Sequence, residues 1–268
     1  MHDYTAHFGM DFNPFIKNTH DILMETTDYK ELRLRLDYLL NNKGFGLITG
    51  GPGRGKTTAI RHYMKQVNPS LYKVTYTSLS TLTVNDFYKH LAEQLGLESV
   101  FRKQDNFRNI QAEITRYSVE KRITPVIIID EANYISNGIL NDLKMLFNFE
   151  MDSRDRAVML LVGLPQLHNT LRLNANEPLR QRITMNFQID SLSKEEAFSY
   201  IKTKLLGAKC TRDVFEQNAL EAIANAANGI PRLINKICCS CMMIAYTKKM
   251  EYITADIVLA AVNDMELQ

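Results

Sequence analysis

The chain has 268 residues, and its 32 Lys and Arg against 30 Asp and Glu leave a formal net charge of +2. Hydrophobic residues at 45% and charged residues at 23% exclude a disordered or fibrous chain and supply core material for one large domain or two modest ones. Near-neutrality excludes a protein coated in basic residues, so any nucleic-acid contact has to come from a local patch.

In chain order, HFGMDFNPF sets Phe8, Phe12 and Phe15 around a proline turn and reads as a docked arm. Leu32, Leu36, Leu39 and Leu40 recur at helical spacing and predict a helix over 28–43. The apolar run FGLITG, a glycine-rich turn and a helix opening near Lys56 follow. LYKVTYTSL reads as a strand, ITPVIIID and AVMLLVG as buried strands, and ITMNFQI as an alternating one. Helical patterns fill the gaps, which predicts a parallel sheet with both faces covered. After Leu192 the patterns are helical throughout. Ser193 with Glu196 opens a capping box, then DVFEQNALEAIANAAN, PRLINKICCSCMMIAY and TADIVLAAVNDM follow, the last with Thr254 as N-cap. The expected division is an α/β domain over 1–191, arm included, and a small all-helical domain over 192–268.

No apolar run approaches the roughly 18 residues of a membrane span, and MHDYTAHFGMDFNPF lacks a basic region followed by an apolar one, so export is not expected. Cys210, Cys238, Cys239 and Cys241 read as buried free thiols. Three of them crowd one helical stretch, where adjacent positions point apart and no second pair converges on a zinc ion. Reduced thiols suit a cytoplasmic protein.

The sharpest pattern is Gly50-Gly51-Pro52-Gly53-Arg54-Gly55-Lys56-Thr57, which matches G-x-x-x-x-G-K-[ST] between a strand and a helix. Glycines let consecutive N–H groups curl around phosphate oxygens, and the helix that follows offers its positive end. The expected nucleotide-binding set is Gly51, Pro52, Gly53, Arg54, Gly55, Lys56, Thr57 and Thr58. Lys56 reaches the β- and γ-phosphates, and the Thr57 hydroxyl ligates Mg²⁺. Arg54 contacts phosphate, contacts a neighbour or faces solvent, the last being favoured. Val126-Ile127-Ile128-Ile129-Asp130-Glu131 supplies the acids at the end of a buried strand. Asp130 is expected to hold Mg²⁺ through water, and Glu131 to polarise the attacking water. The implied cofactors are ATP and Mg²⁺, and the implied reaction is ATP hydrolysis to ADP and phosphate.

On GGPGRGKTT and VIIIDEANYIS the chain resembles the AAA+ ATPases along nearly its whole length. The resemblance implies an α/β P-loop NTPase sheet sandwiched by helices, followed by a helical lid. Leu179-Arg180-Gln181-Arg182-Ile183 resembles the LRxR segment that carries an arginine finger for a neighbour's nucleotide, on Arg180 or Arg182. Asn228-Gly229-Ile230-Pro231-Arg232-Leu233 resembles the G-x-P-R stretch whose arginine, here Arg232, touches the γ-phosphate in cis. Cations near the developing charge favour phosphoryl transfer. The chain departs from the family where a polar sensor 1 residue should end AVMLLVG. Gly163-Leu164-Pro165-Gln166 stands there, with Gln166 the nearest candidate. Thr77 or Ser78 occupies the position that restrains the catalytic glutamate in many relatives.

FGMDFNPF, the short lid and VGLPQL resemble the ExeA/GspA group and the transposition ATPases MuB, TnsC and TniB. The ExeA/GspA proteins are expected to continue into a membrane anchor and a cell-wall-binding part, and the size of this chain fits the transposition group instead. That resemblance implies a homo-oligomer, filament or ring, that assembles with ATP on duplex DNA irrespective of sequence. It also implies recruitment or stimulation of a DDE transposase, with no membrane partner. The alternatives are a secretion-type ATPase without DNA binding and a P-loop switch with little hydrolysis.

In the resembled family the insertion before the Asp130 strand lines a DNA-facing channel. Here Arg102, Lys103, Arg108, Arg116, Lys121 and Arg122 outweigh Asp105, Glu113 and Glu120, a local net of +3 against +2 for the whole chain. Arg102 and Lys103 follow a helix end at Gly96 and Leu97 and are the better candidates, with Arg108 beside them and Thr81 and Thr83 adding hydroxyl contacts. Such contacts position a protein on DNA without reading sequence and weaken with salt. Arg116, Lys121 and Arg122 read equally well as a solvated helix face over 105–121.

Overall fold

The computed structural model describes residues 4–17, 19, 21–78 and 82–266. The elements run α1 (Tyr4–His7), α2 (Thr27–Asn42), β1 (Gly44–Gly50), α3 (Lys56–Gln66), β2 (Tyr72–Thr77), α4 (Val84–Gln94) and α5 (Lys103–Thr115). They continue with β3 (Thr124–Ile129), α6 (Asn137–Leu146), β4 (Val158–Gly163), α7 (Gln166–Arg172), α8 (Glu177–Gln181) and β5 (Ile183–Ile189). Then come α9 (Lys194–Gly207), α10 (Gln217–Ala227), α11 (Pro231–Thr247) and α12 (Ala255–Glu266). Two expected elements are shorter than their sequence patterns. β2 stops at Thr77, and the helix expected over 105–121 is α5, closed by a π-helical turn over Arg116–Glu120.

The chain forms two compact units. One comprises Asp28–Pro52 and Lys56–Ile189, and the other comprises the arm to Thr27, Gly53–Gly55 and Asp190 onward. The first unit is built on a five-stranded sheet of order β2-β3-β4-β1-β5 in which every pairing is parallel. The two-residue period of a strand explains its sequence. Ile127 and Ile129 of β3, with Met159 and Leu161 of β4, face a core shared with α4, α5, α6 and α7. Val126, Ile128, Leu160 and Val162 face the opposite core, shared with α2 and α3. Central strands therefore read as unbroken apolar runs, whereas the edge strand β5 alternates, burying Met185, Phe187 and Ile189 between exposed Thr184, Asn186 and Gln188.

The second unit packs α9, α10, α11 and α12 around a core lined by Ala197, Ala219, Ala224, Ala227 and Ala245. Ser193 caps α9 in the expected box with Glu196. Here the structure departs from the expected division, because the arm packs with the helical unit and not with the α/β one. Phe8, Met10 and Phe15 are buried in that alanine-rich core, where small side chains leave room for aromatic ones. Main-chain ties hold the arm there: the Asp11 amide donates to the Ala208 carbonyl at 3.0 Å, and Arg212 Nε donates to the Phe8 carbonyl at 3.1 Å. The cysteines are free, with Cys210, Cys238 and Cys241 buried and Cys239 half-buried. Burial pushes the Cys241 thiol up to about 12 and raises Cys238 and Cys239 as well. Among the described residues no helix is long and apolar enough to cross a membrane.

Candidate functional site

At the carboxyl end of β1 the chain turns through Gly51–Gly55 into α3. Gly53 and Gly55 have φ of +75° and +91°, a region in which a Cβ is strained. A Cβ on Gly50 would lie 2.7 Å from the Ile189 carbonyl oxygen, so the strand end admits only glycine. Lys56 is 8% exposed, and its Nζ donates to the carbonyls of Gly50 at 2.8 Å and Gly51 at 3.0 Å, folding the lysine back over the loop. Thr58 stands one residue along α3 and is exposed.

The period of β3 carries Asp130 past Ile128 toward α3, where it is 3% exposed. Three donors reach its carboxylate. Thr57 Oγ1 donates to Oδ2 at 2.7 Å, Tyr76 Oη donates to Oδ2 at 2.9 Å, and the Glu131 amide donates to Oδ1 at 2.8 Å. A threonine hydroxyl beside a carboxylate is a hard-oxygen pair of the kind that Mg²⁺ selects. Glu131 is exposed and adopts φ +54°, ψ +33°, a left-handed conformation that is uncommon for a residue with a side chain.

Tyr76 was not legible as a site residue. In the β2–β3 register it sits opposite Ile128, so the same parity that aims Asp130 at α3 aims Tyr76 there. Only the strand pairing reveals that. Burial, and then its bond to Asp130, push the phenol well above the ordinary tyrosine range, so it stays protonated and donates. Thr77, on the opposite parity, pairs its hydroxyl with His90 Nε2 at 2.8 Å. Where a polar sensor residue was expected, β4 ends in Gly163, because Asn133 fills the space: its Oδ1 would lie 2.9 Å from a Cβ there. That oxygen instead accepts the Leu164 amide at 3.0 Å. Gln166 opens α7 exposed to solvent, and the α7 side chain that reaches β1 is His168, whose Nε2 lies 3.1 Å from the hydroxyl of buried Thr49. Burial, and secondarily Arg172, lower the His168 pKa.

The two arginines of α8 and its cap have different surroundings. Arg182 is 15% exposed and donates to the carbonyls of Lys144 at 2.8 Å and Phe147 at 3.1 Å and to Asp152 Oδ1 at 2.6 Å. Its guanidinium also lies over the Phe45 ring, so its contacts are made within its own chain. Arg180 is 45% exposed, and among the described residues its one ion pair is a 3.8 Å approach to Glu177.

Within the helical unit, the Arg232 amide donates to the Gly53 carbonyl at 3.3 Å, and its Cβ would lie 2.8 Å from a Cβ on Gly53. Arg54, favoured above as solvated, pairs with Asp190 at 3.1 Å. Gly229 has φ +67°, and a Cβ there would lie 2.1 Å from the Leu192 carbonyl oxygen.

Of the residues assigned to DNA, Thr81 lies outside the described residues. Thr83 caps α4, donating to Asp86 Oδ2 at 2.6 Å and accepting the Asp86 amide. Lys103 pairs with Asp142 at 2.6 Å over the Tyr88 ring. Both are therefore committed to holding α4 and α5 in place. Arg102, at the N-cap of α5, and Arg108 are exposed. Arg116 forms a two-pronged pair with Glu113.

The AAA domain family matches residues 39–171. General secretion pathway protein A of Aeromonas hydrophila is 31% identical over 96% of this chain and 48% of its own length. The ATP-dependent target DNA activator B of Escherichia phage Mu is 23% identical over 91% of this chain and 73% of its own. Among solved structures, the Aeropyrum pernix ORC2 protein in ADPNP–ADP complexes superposes with a TM-score of 0.71 at 19% identity, covering 96% of this chain and 72% of that one. This chain thus spans about half the length of the secretion pathway protein (48%).

Proposed function

From a chain that has the AAA+ P-loop fold and is related to both secretion pathway protein A and the Mu target DNA activator, we propose an ATP-dependent regulator of DNA transposition that assembles on duplex DNA. The observation that carries this reading is the similarity to target DNA activator B along 91% of this chain and 73% of that protein. In this reading Lys56 exchanges its loop carbonyls for the β- and γ-phosphates, and the amides of Gly53–Thr58 cradle the phosphate oxygens. Thr57 and Asp130 hold Mg²⁺, which neutralises phosphate charge when bound. Glu131 orients and deprotonates the attacking water, and Arg232 supplies a cation to the γ-phosphate.

Arg180 is the arginine finger offered to the nucleotide of a neighbouring copy, since Arg182 is largely buried and already tied to Lys144, Phe147 and Asp152. Arg102 and Arg108 carry the sequence-independent contacts to DNA phosphates. Bound ATP favours assembly because the finger finds a γ-phosphate, and hydrolysis releases the oligomer, filament or ring. Assembled on DNA in the cytoplasm, the protein recruits or stimulates a DDE transposase.

A second reading rests on the 31% identity to secretion pathway protein A over 96% of this chain: a secretion-associated ATPase that leaves DNA alone. One experiment separates the two. Binding to random duplex DNA is measured with ATP, a non-hydrolysable analogue or ADP over a salt series. Large complexes that form with either triphosphate and fall apart with ADP support the transposition reading. No binding at low salt in any nucleotide state leaves the secretion reading standing.

A further inference from the structure

We infer that Tyr76 is a positioning residue for the metal-holding carboxylate, fixing the orientation of Asp130 that magnesium-dependent nucleotide binding requires. This rests on the assignment of Thr57 and Asp130 as the magnesium-holding pair.

The terminal torsion of an aspartate is broad and roughly two-fold, so hydrogen bonds and not rotamer preference decide where its oxygens lie. For Asp130 those bonds divide unequally. Oδ1 receives the Glu131 amide at 2.8 Å, a main-chain donor that follows the backbone. Oδ2 receives Thr57 Oγ1 at 2.7 Å and Tyr76 Oη at 2.9 Å. Thr57 has to serve the metal with the same oxygen atom, whereas the phenol donates to Oδ2 with no second duty. Its reach is built in by β2. Tyr76 stands one residue before the strand end, and β2 is paired with β3 along its length from Tyr72 opposite Thr124 to Thr77 opposite Ile129. The rigid ring then carries the hydroxyl to Asp130.

Packing does not account for a tyrosine at this place. The residue is 44% exposed and is absent from the cores on both faces of the sheet. Phenylalanine would cover the same surface without the polar atom. A phenol that donates to a carboxylate already bonded to the P-loop threonine has its use in that carboxylate. Charge-assisted bonds of this kind are the stronger class of hydrogen bond and are the ones able to hold a soft torsion against a competing ligand.

The test is Tyr76→Phe, which removes one oxygen from a half-exposed ring, read by binding of a fluorescent ATP analogue to the intact chain. Affinity is measured first in EDTA and then across a Mg²⁺ titration. The expectation is unchanged affinity in EDTA, with the Mg²⁺ concentration for half-maximal tightening raised about three- to tenfold. Mn²⁺ retained with the nucleotide, counted by electron paramagnetic resonance, should fall in parallel without reference to turnover. An unmoved metal midpoint overturns the inference. So does an equal loss in EDTA and in Mg²⁺, which makes Tyr76 a general structural residue of the site. Wild-type protein whose nucleotide affinity ignores Mg²⁺ overturns the assignment of Thr57 and Asp130 instead, so the two failures are told apart.

Discussion

Glu131 occupies a left-handed backbone conformation at φ +54°, while the preceding Asp130 holds its amide. Such conformations cost on the order of 1–3 kcal/mol and persist where the surroundings over-determine them. The exposed side chain is thereby presented beside the buried carboxylate, suited to water rather than to metal. Glu131→Gln is expected to retain ATP and slow turnover by about a hundredfold or more, the range for a lost general base. Lys56→Ala is expected to lose binding and turnover together. Nucleotide-binding titrations with steady-state phosphate release check both, and normal turnover in the glutamine variant removes Glu131 from the chemistry.

The arginine pair separates in the same way. Arg182→Ala strands two backbone carbonyls and Asp152, and should lower unfolding stability by about 2–3 kcal/mol in a urea titration. Arg180→Ala should leave the urea midpoint unmoved and reduce turnover only under conditions where the protein is assembled. Two arginines that stand alike in an LRxR segment thus have different fates. The carbonyls of Lys144 and Phe147 that distinguish them come from a distant stretch of chain.

At the scale of elements, glycines mark where segments approach closely. The Gly229 amide region meets Leu192 in the helical unit: the Leu192 amide donates to the Gly229 carbonyl at 2.9 Å, and a Cβ would lie 2.1 Å from the Leu192 oxygen. Gly229→Ala combines a positive φ with a backbone clash and should cost more than about 2 kcal/mol, against about 1 kcal/mol for loss of the α9 cap in Ser193→Ala. Thermal unfolding of the two variants ranks them, and a Gly229→Ala protein as stable as wild type contradicts the close approach. Local signals of this sort were readable in the sequence: the capping box, the P-loop glycines and the apolar runs of β3 and β4 each answer to a short-range rule. Tyr76 and His168 were not readable, because what defines them is a neighbour supplied by strand register or by the helix that follows another strand.

For the whole molecule, the proposed DNA-binding reading has to reconcile affinity with a net charge of +2, so it rests on few phosphate contacts per copy of the chain. Each contact contributes about one unit to the slope of log affinity against log salt. Replacing Arg102 and Arg108 together by alanine should reduce that slope by about two units per subunit. Replacing Lys103 should act mainly on stability, through its pair with Asp142. Fluorescence anisotropy over a salt series with each variant measures this, and an unchanged slope in the double variant moves the DNA surface elsewhere.

The sequence by itself determined the parallel α/β architecture, the helical region after it, the phosphate-binding loop and the acidic pair at the end of β3. Each of these depends on residue spacing within a segment or on the backbone freedom of particular glycines. Tertiary structure alone decided which cations remain available, since Arg182, Lys103 and Arg54 all find partners far from their own segments. It also decided where the aromatic arm belongs: Phe8 and Phe15 are apolar enough for any core, and the structure buries them in the alanine-lined interior of the helical unit.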